Sequence, residues 1–122
     1  MSYDIRFGVK VKGAPDDVYA IIGHPDRDSP TYNNRPIFVK AMDWEYKQGD
    51  WYPMSEVLPK VERGIHELTF NQKAYKKLEP PNGWGGIESS LEALQSIMNW
   101  FNHPWERGWD EDIPLDCIYM RW

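Results

Sequence analysis

Residues 2–11 constrain the fold of this chain more than any other stretch. Tyr3, Ile5, Phe7, Val9 and Val11 fall on one face, and Asp4, Arg6, Lys10 and Lys12 on the other. A period of two sends successive side chains to opposite sides of a strand, so this is a strand with one buried face. Such a strand needs neighbours. Residues 13–17 carry turn chemistry, and residues 18–22 read as a second strand returning as a hairpin. Residues 117–122 alternate again, with Ile118, Met120 and Trp122 on one side and Cys117, Tyr119 and Arg121 on the other. A lone hairpin is marginal, so the last strand is expected to pair with the first.

Between these ends the period changes. Asn34 suits an N-cap and Pro36 a first turn, followed by an apolar face of Ile37, Phe38, Ala41 and Met42 on a helix running to about Tyr46. Gln48, Gly49 and Asp50 break it, and Trp51, Tyr52 and Pro53 read as an aromatic connector. Ser55 caps a second helix, with Pro59 in its first turn and Leu58, Val61, Ile65, Leu68 and Tyr75 at helical spacing. Gly64 marks either a weak point or a close helix crossing. Lys73, Lys76 and Lys77 suit the C-terminal end of the helix dipole. A third stripe, Ile87, Leu91, Leu94, Met98 and Phe101, defines the last helix. The order ββαααβ predicts one α+β domain over residues 1–122: a three-stranded antiparallel sheet packed by three helices.

At 122 residues, with 41% hydrophobic and 27% charged residues, the chain can bury a core without staples. The net charge of −5 argues against duplex nucleic-acid binding and suits a protein that occupies a basic channel of a nucleic-acid enzyme. Seven tryptophans and seven tyrosines exceed what a small core usually holds, so they either reach the surface as contact sites or close the edges of a thin core. The single cysteine, Cys117, permits neither an internal disulfide nor a zinc cluster; it is expected to be a small buried hydrophobe in a strand, in a reducing cytoplasm. No signal peptide and no membrane-length apolar run are present in the sequence, so no membrane partner is expected.

The residues form no catalytic motif. His66-Glu67 lacks a second histidine four residues after His66, and a Cys117 nucleophile would need a distant histidine. His103, Glu106, Asp110, Glu111 and Asp112 fit a solvated charge run better than a divalent-ion loop. No cofactor and no metal are implied. Anion-binding chemistry has better candidates. Residues 81–86, Pro-Asn-Gly-Trp-Gly-Gly, open the last helix, and such an entrance suits either an anion or a tight turn. Thr31 and Asn33 can organise a second helix entrance, with Tyr32 anchoring the loop; side by side the two entrances would wall an anion pocket. Arg6, Arg27, Arg35, Arg63, Arg107 and Arg121 can grip phosphate, and Tyr32, Trp84, Tyr119 and Trp122 can stack on a base. Arg6 and Arg121 either share the open face of the sheet as an anion site or pair with Asp4 and other carboxylates. The candidate ligand set is therefore Tyr32, Asn33, Arg35, Asn82, Gly83, Trp84 and Gly85, with Arg6, Tyr119 and Arg121.

Ser2-Tyr3-Asp4-Ile5, Thr31-Tyr32-Asn33 and Asn82-Gly83-Trp84 resemble a recurring pattern in small proteins encoded by bacteriophages and prophages of gut bacteria. The resemblance covers the order of elements along most of the chain, with residues 103–112 as an addition. It carries no catalytic residue. It implies a non-enzymatic accessory factor in the host cytoplasm that acts against host defence. Such a factor sequesters a small anionic, nucleotide-like ligand or, as an acidic inhibitor in the manner of anti-CRISPR proteins, binds a host defence protein. A homo-oligomer is compatible with either.

Overall fold

The computed structural model describes residues 2–15, 18–102 and 115–122. The described elements are β1 (Arg6–Lys10), β2 (Tyr19–Gly23), α1 (Arg35–Met42), β3 (Trp51–Pro53), α2 (Met54–Phe70), α3 (Ile87–Asn102) and β4 (Ile118–Arg121). A seven-residue 3-10 helix, Gln72–Leu78, and short 3-10 turns at Tyr32–Asn34 and Leu115–Cys117 join them. The class is α+β, as the alternating ends and helical middle require. The expected acidic loop at 103–112 lies outside the described residues.

The sheet is antiparallel in the order β2-β1-β4-β3. β1 pairs with β2 as a hairpin and with β4 on its other side, so both chain ends meet in the centre of the sheet. The expected three strands become four. Trp51–Pro53 is no connector but an edge strand on β4, with Trp51 opposite Arg121 and Pro53 opposite Tyr119. Three residues are too few to display a period, and Pro53 is tolerated because this strand lies at the sheet edge. The alternation over 2–11 serves two pairings. Tyr3 N–H donates to Pro30 O and Ile5 N–H to Asp28 O, both at 2.8 Å, before β1 itself begins.

The helices cover one face of this sheet. Tyr3, Ile5, Phe7, Ile118, Met120 and Trp122 are all buried there, as their spacing predicts, but Val9 is only half-buried and Val11 is exposed because β1 ends at Lys10, short of the expected Val11. Trp122 stacks on Tyr46 at 4.4 Å and meets Tyr3 and Phe38 edge-on or tilted, while Phe7 stacks on Trp100 at 4.1 Å. Gly64 is a close crossing: a Cβ there would lie 2.7 Å from Leu94 Cδ1 and 3.0 Å from Met42 Cγ. On α3, Ile87, Ser90, Ala93, Leu94 and Ile97 are buried while Leu91, Met98 and Phe101 are only half-buried, so the buried line is rotated from the expected stripe.

Several local expectations shift. α1 ends at Met42, short of Tyr46, because Asp43 turns left-handed with φ 51°. α2 starts after Pro53 rather than at a Ser55 cap, which places Pro59 inside the helix beyond its first turn. The lysine-rich segment is a separate 3-10 helix. Cys117 is exposed at the end of a 3-10 turn, not buried in a strand, because pairing with β1 begins one residue later at Ile118.

Candidate functional site

The candidate residues fall into three places. The first is the meeting of the two helix entrances. Thr31 Oγ1 accepts from Asn33 N at 3.3 Å, and Tyr32 packs edge-on against Tyr3 at 4.7 Å while its hydroxyl accepts from Gln48. Asn33 Nδ2 donates to Trp84 O at 3.2 Å, so the two entrances do stand side by side. Asn82 Oδ1 accepts from Trp84 N at 3.0 Å, and Gly83 and Gly85 take φ of 75° and 95°. This is a tight Asx turn. A Cβ at Gly85 would overlap both Asn34 and Thr31.

Two N–H groups at the start of α3 already have protein acceptors. Gly86 N donates to Asn34 Oδ1 at 2.8 Å and Ile87 N lies 3.5 Å from Glu79 Oε2. Asn34 stands at the N-terminus of α1 yet makes no side-chain cap on that helix; it caps α3 instead and also donates to Ser89 Oγ at 3.0 Å. The adjoining cavity, about 300 Å³, is lined by Asp26, Asp28, Glu92, Arg27, Thr31 and Ser89 among others. Arg27 is held by Glu92 at 3.4 Å, so carboxylates outnumber cations on these walls.

Arg35 stands in a second place. It donates to Tyr46 O at 2.8 Å and lies over the Tyr46 ring at 4.5 Å. Tyr46 and Tyr3 share a buried hydroxyl–hydroxyl bond of 2.7 Å. Burial first, and then that bond, push the Tyr46 phenol above its ordinary value, with Arg35 pulling the other way. Arg35 is thus tied into the core's polar edge.

The third place is the open face of the sheet. Arg6 and Arg121 are direct cross-strand partners, and Trp51 is the cross-strand partner of Arg121 on its far side. The Trp51 ring reaches inward across the sheet to stack on Tyr19 at 4.6 Å, with an interplanar angle of 19°. It can do so because Gly8 has no side chain: a Cβ there would lie 3.0 Å from two Trp51 ring carbons. Tyr119 meets Tyr19 edge-on at 5.0 Å, Arg121 lies 5.0 Å over Trp51, and Lys10 lies 5.6 Å over Tyr119. Three aromatic rings and three cations therefore share one half-exposed surface.

Arg6, Tyr119 and Arg121 come together there, as their shared face predicts. Trp51, Tyr19 and Gly8 were missed. The available signal was Gly8, since a glycine inside a strand marks a bulge or a close approach, and here it is both. Asp4 reaches both arginines, at 2.6 Å from Arg6 and 3.9 Å from Arg121.

Among the described residues, no three His, Cys, Asp or Glu side chains group as metal ligands, and no helix is long and apolar enough to cross a membrane. The metal candidates from His103 to Asp112 lie outside those residues. No protein-family model, curated protein or solved structure matches this chain.

Proposed function

We propose that this chain is a non-enzymatic binding protein that holds a small anionic, nucleotide-like ligand on the open face of its sheet. One observation carries this reading: Arg6 and Arg121 stand side by side on adjacent strands, next to the Trp51–Tyr19–Tyr119 aromatic group. Guanidinium groups take phosphate through paired donors, and aromatic rings take a base through its π-face. Because Gly86 N–H and Ile87 N–H at the α3 entrance are taken by Asn34 and Glu79, and the adjoining cavity is rich in carboxylates, the sheet face is the better anion seat. The wider setting, a phage accessory factor that removes a host nucleotide signal, follows from the resemblance to phage-encoded proteins.

Titration with adenosine 5′-diphosphate, followed by calorimetry, tests the seat. Trp51→Ala is expected to weaken binding roughly tenfold or more, in line with about 1–3 kcal/mol per stacked base. Trp84→Ala is expected to leave it unchanged. Equal affinity for the parent and Trp51→Ala would remove the sheet face as the site.

A second reading has its own observation. Trp84 is 72% exposed beside the cavity lined by Asp26, Asp28 and Glu92. An exposed aromatic next to acidic groups suits the basic surface of a host defence protein. In that case Trp84→Ala would abolish co-purification with the host protein while Trp51→Ala retained it.

A further inference from the structure

Like charges directly opposite on neighbouring strands repel, and Arg6 faces Arg121 in this way. The carboxylate that reaches both is Asp4: Oδ1 lies 2.6 Å from Arg6 Nη2 and Oδ2 lies 3.9 Å from Arg121 Nη2. The two arginine side chains are 25% and 29% exposed, whereas Asp4 is 63% exposed and precedes the strand. Arg6 has independent support, since its Nη1 donates to Ile5 O at 2.7 Å and to Asp28 Oδ2 at 2.9 Å. Arg121 is supported by the Trp51 ring. The seat between the guanidinium groups thus persists when Asp4 leaves it.

Resting on the sheet-face reading above, we propose that Asp4 is an internal occupant of the phosphate seat, a built-in competitor that any anionic ligand must displace. A bound phosphoryl group displaces the Asp4 carboxylate into solvent and takes its place between Arg6 and Arg121. A terminal phosphate carries about −1.5 to −2 charge and three acceptor oxygens near neutral pH, more than the single carboxylate it replaces. A phosphodiester carries only one charge, so the paired guanidinium groups hold it less strongly. The ligand class is therefore a nucleoside monoester or polyphosphate with a free terminal phosphate, and Asp4 lowers the affinity of every anion by the same displacement cost.

The test compares adenosine 5′-monophosphate, cyclic 3′,5′-adenosine monophosphate and adenosine by calorimetry on the parent, Asp4→Asn and Asp4→Ser. The parent is expected to prefer the monoester at least tenfold over the cyclic diester. Both variants are expected to bind both phosphates at least threefold more tightly and by about the same factor, because the cost of displacing Asp4 does not depend on what displaces it, while adenosine is unchanged. A merely structural Asp4 would leave both phosphate affinities unchanged or weaken them. Unchanged or weakened phosphate affinity in both variants, with parent binding intact and sensitive to Trp51→Ala, overturns the role of Asp4 and leaves the sheet-face site standing. No binding of any probe to parent or variants overturns the site and this inference together.

Discussion

Gly8 and Asn34 each settle a neighbour's position through something other than their own backbone propensity. At Gly8 the missing side chain lets Trp51 lie over β1, within 3.0 Å of where a Cβ would sit. Gly8→Val is expected to push the ring off Tyr19, shift the Trp51 indole resonance in a proton–nitrogen correlation spectrum, and cost about 1–3 kcal/mol by overpacking. An unshifted resonance would show that the stack does not depend on the glycine. Asn34 is fully buried, with its amide shared between Gly86 N and Ser89 Oγ. Asn34→Ala strands a buried N–H and is expected to lose about 1–3 kcal/mol in urea unfolding. Asn33→Ala, one residue earlier but exposed, is expected to stay within about 0.5 kcal/mol of the parent. Asparagine before a helix was legible as a cap; that it caps a helix begun more than fifty residues later was not.

The final strand shows how an element at a chain end becomes structural. Ends usually fray, yet β4 is enclosed between β1 and β3, and Trp122 just beyond it is 2% exposed among Tyr3, Phe38 and Tyr46. Removing a buried aromatic to alanine costs about 3–5 kcal/mol. Deletion of Arg121 and Trp122 is therefore expected to lower the melting temperature by several degrees, whereas Arg121→Ala, on the open face, is expected to melt close to the parent. Equal melting of the truncated and parent proteins would show that the end contributes nothing. In α3 the sequence stripe identified the helix but not its rotation. The buried line takes in Ser90 and Ala93 beside Ile87, Leu94 and Ile97, and Leu94 packs where Gly64 of α2 has no side chain.

Across the whole molecule, the buried Tyr3–Tyr46 pair links the first extended stretch to the segment after α1, with Trp122 stacked upon it. The folded-state pKa of Tyr46 is raised above its ordinary value of 10.0 by burial. The fold thus keeps a proton that the unfolded chain releases. Its contribution is full below about pH 10 and is lost as pH rises from there towards the folded value, at about 1.4 kcal/mol per pH unit. Stability measured between pH 9 and 11 is expected to fall more steeply for the parent than for Tyr46→Phe. Parallel curves would exclude Tyr46 as a source of alkaline instability.

The order of residues alone specifies the elements at both ends, most of the face each buries, the hairpin, and the pairing of the last strand with the first. Those features depend on periodicity in contiguous residues, which hydrophobic burial reads directly. The sequence also placed Arg6, Tyr119 and Arg121 on one open face, because alternation fixes sides. Packing alone makes Trp51–Pro53 a strand, since three residues have no period and gain their ladder bonds only from β4. It likewise decided the register that sets Arg6 against Arg121, the reach of Trp51 over Gly8, and the crossed cap from Asn34 to Gly86. Each of these joins residues far apart in the chain, and their geometry exists only once the sheet and helices have packed.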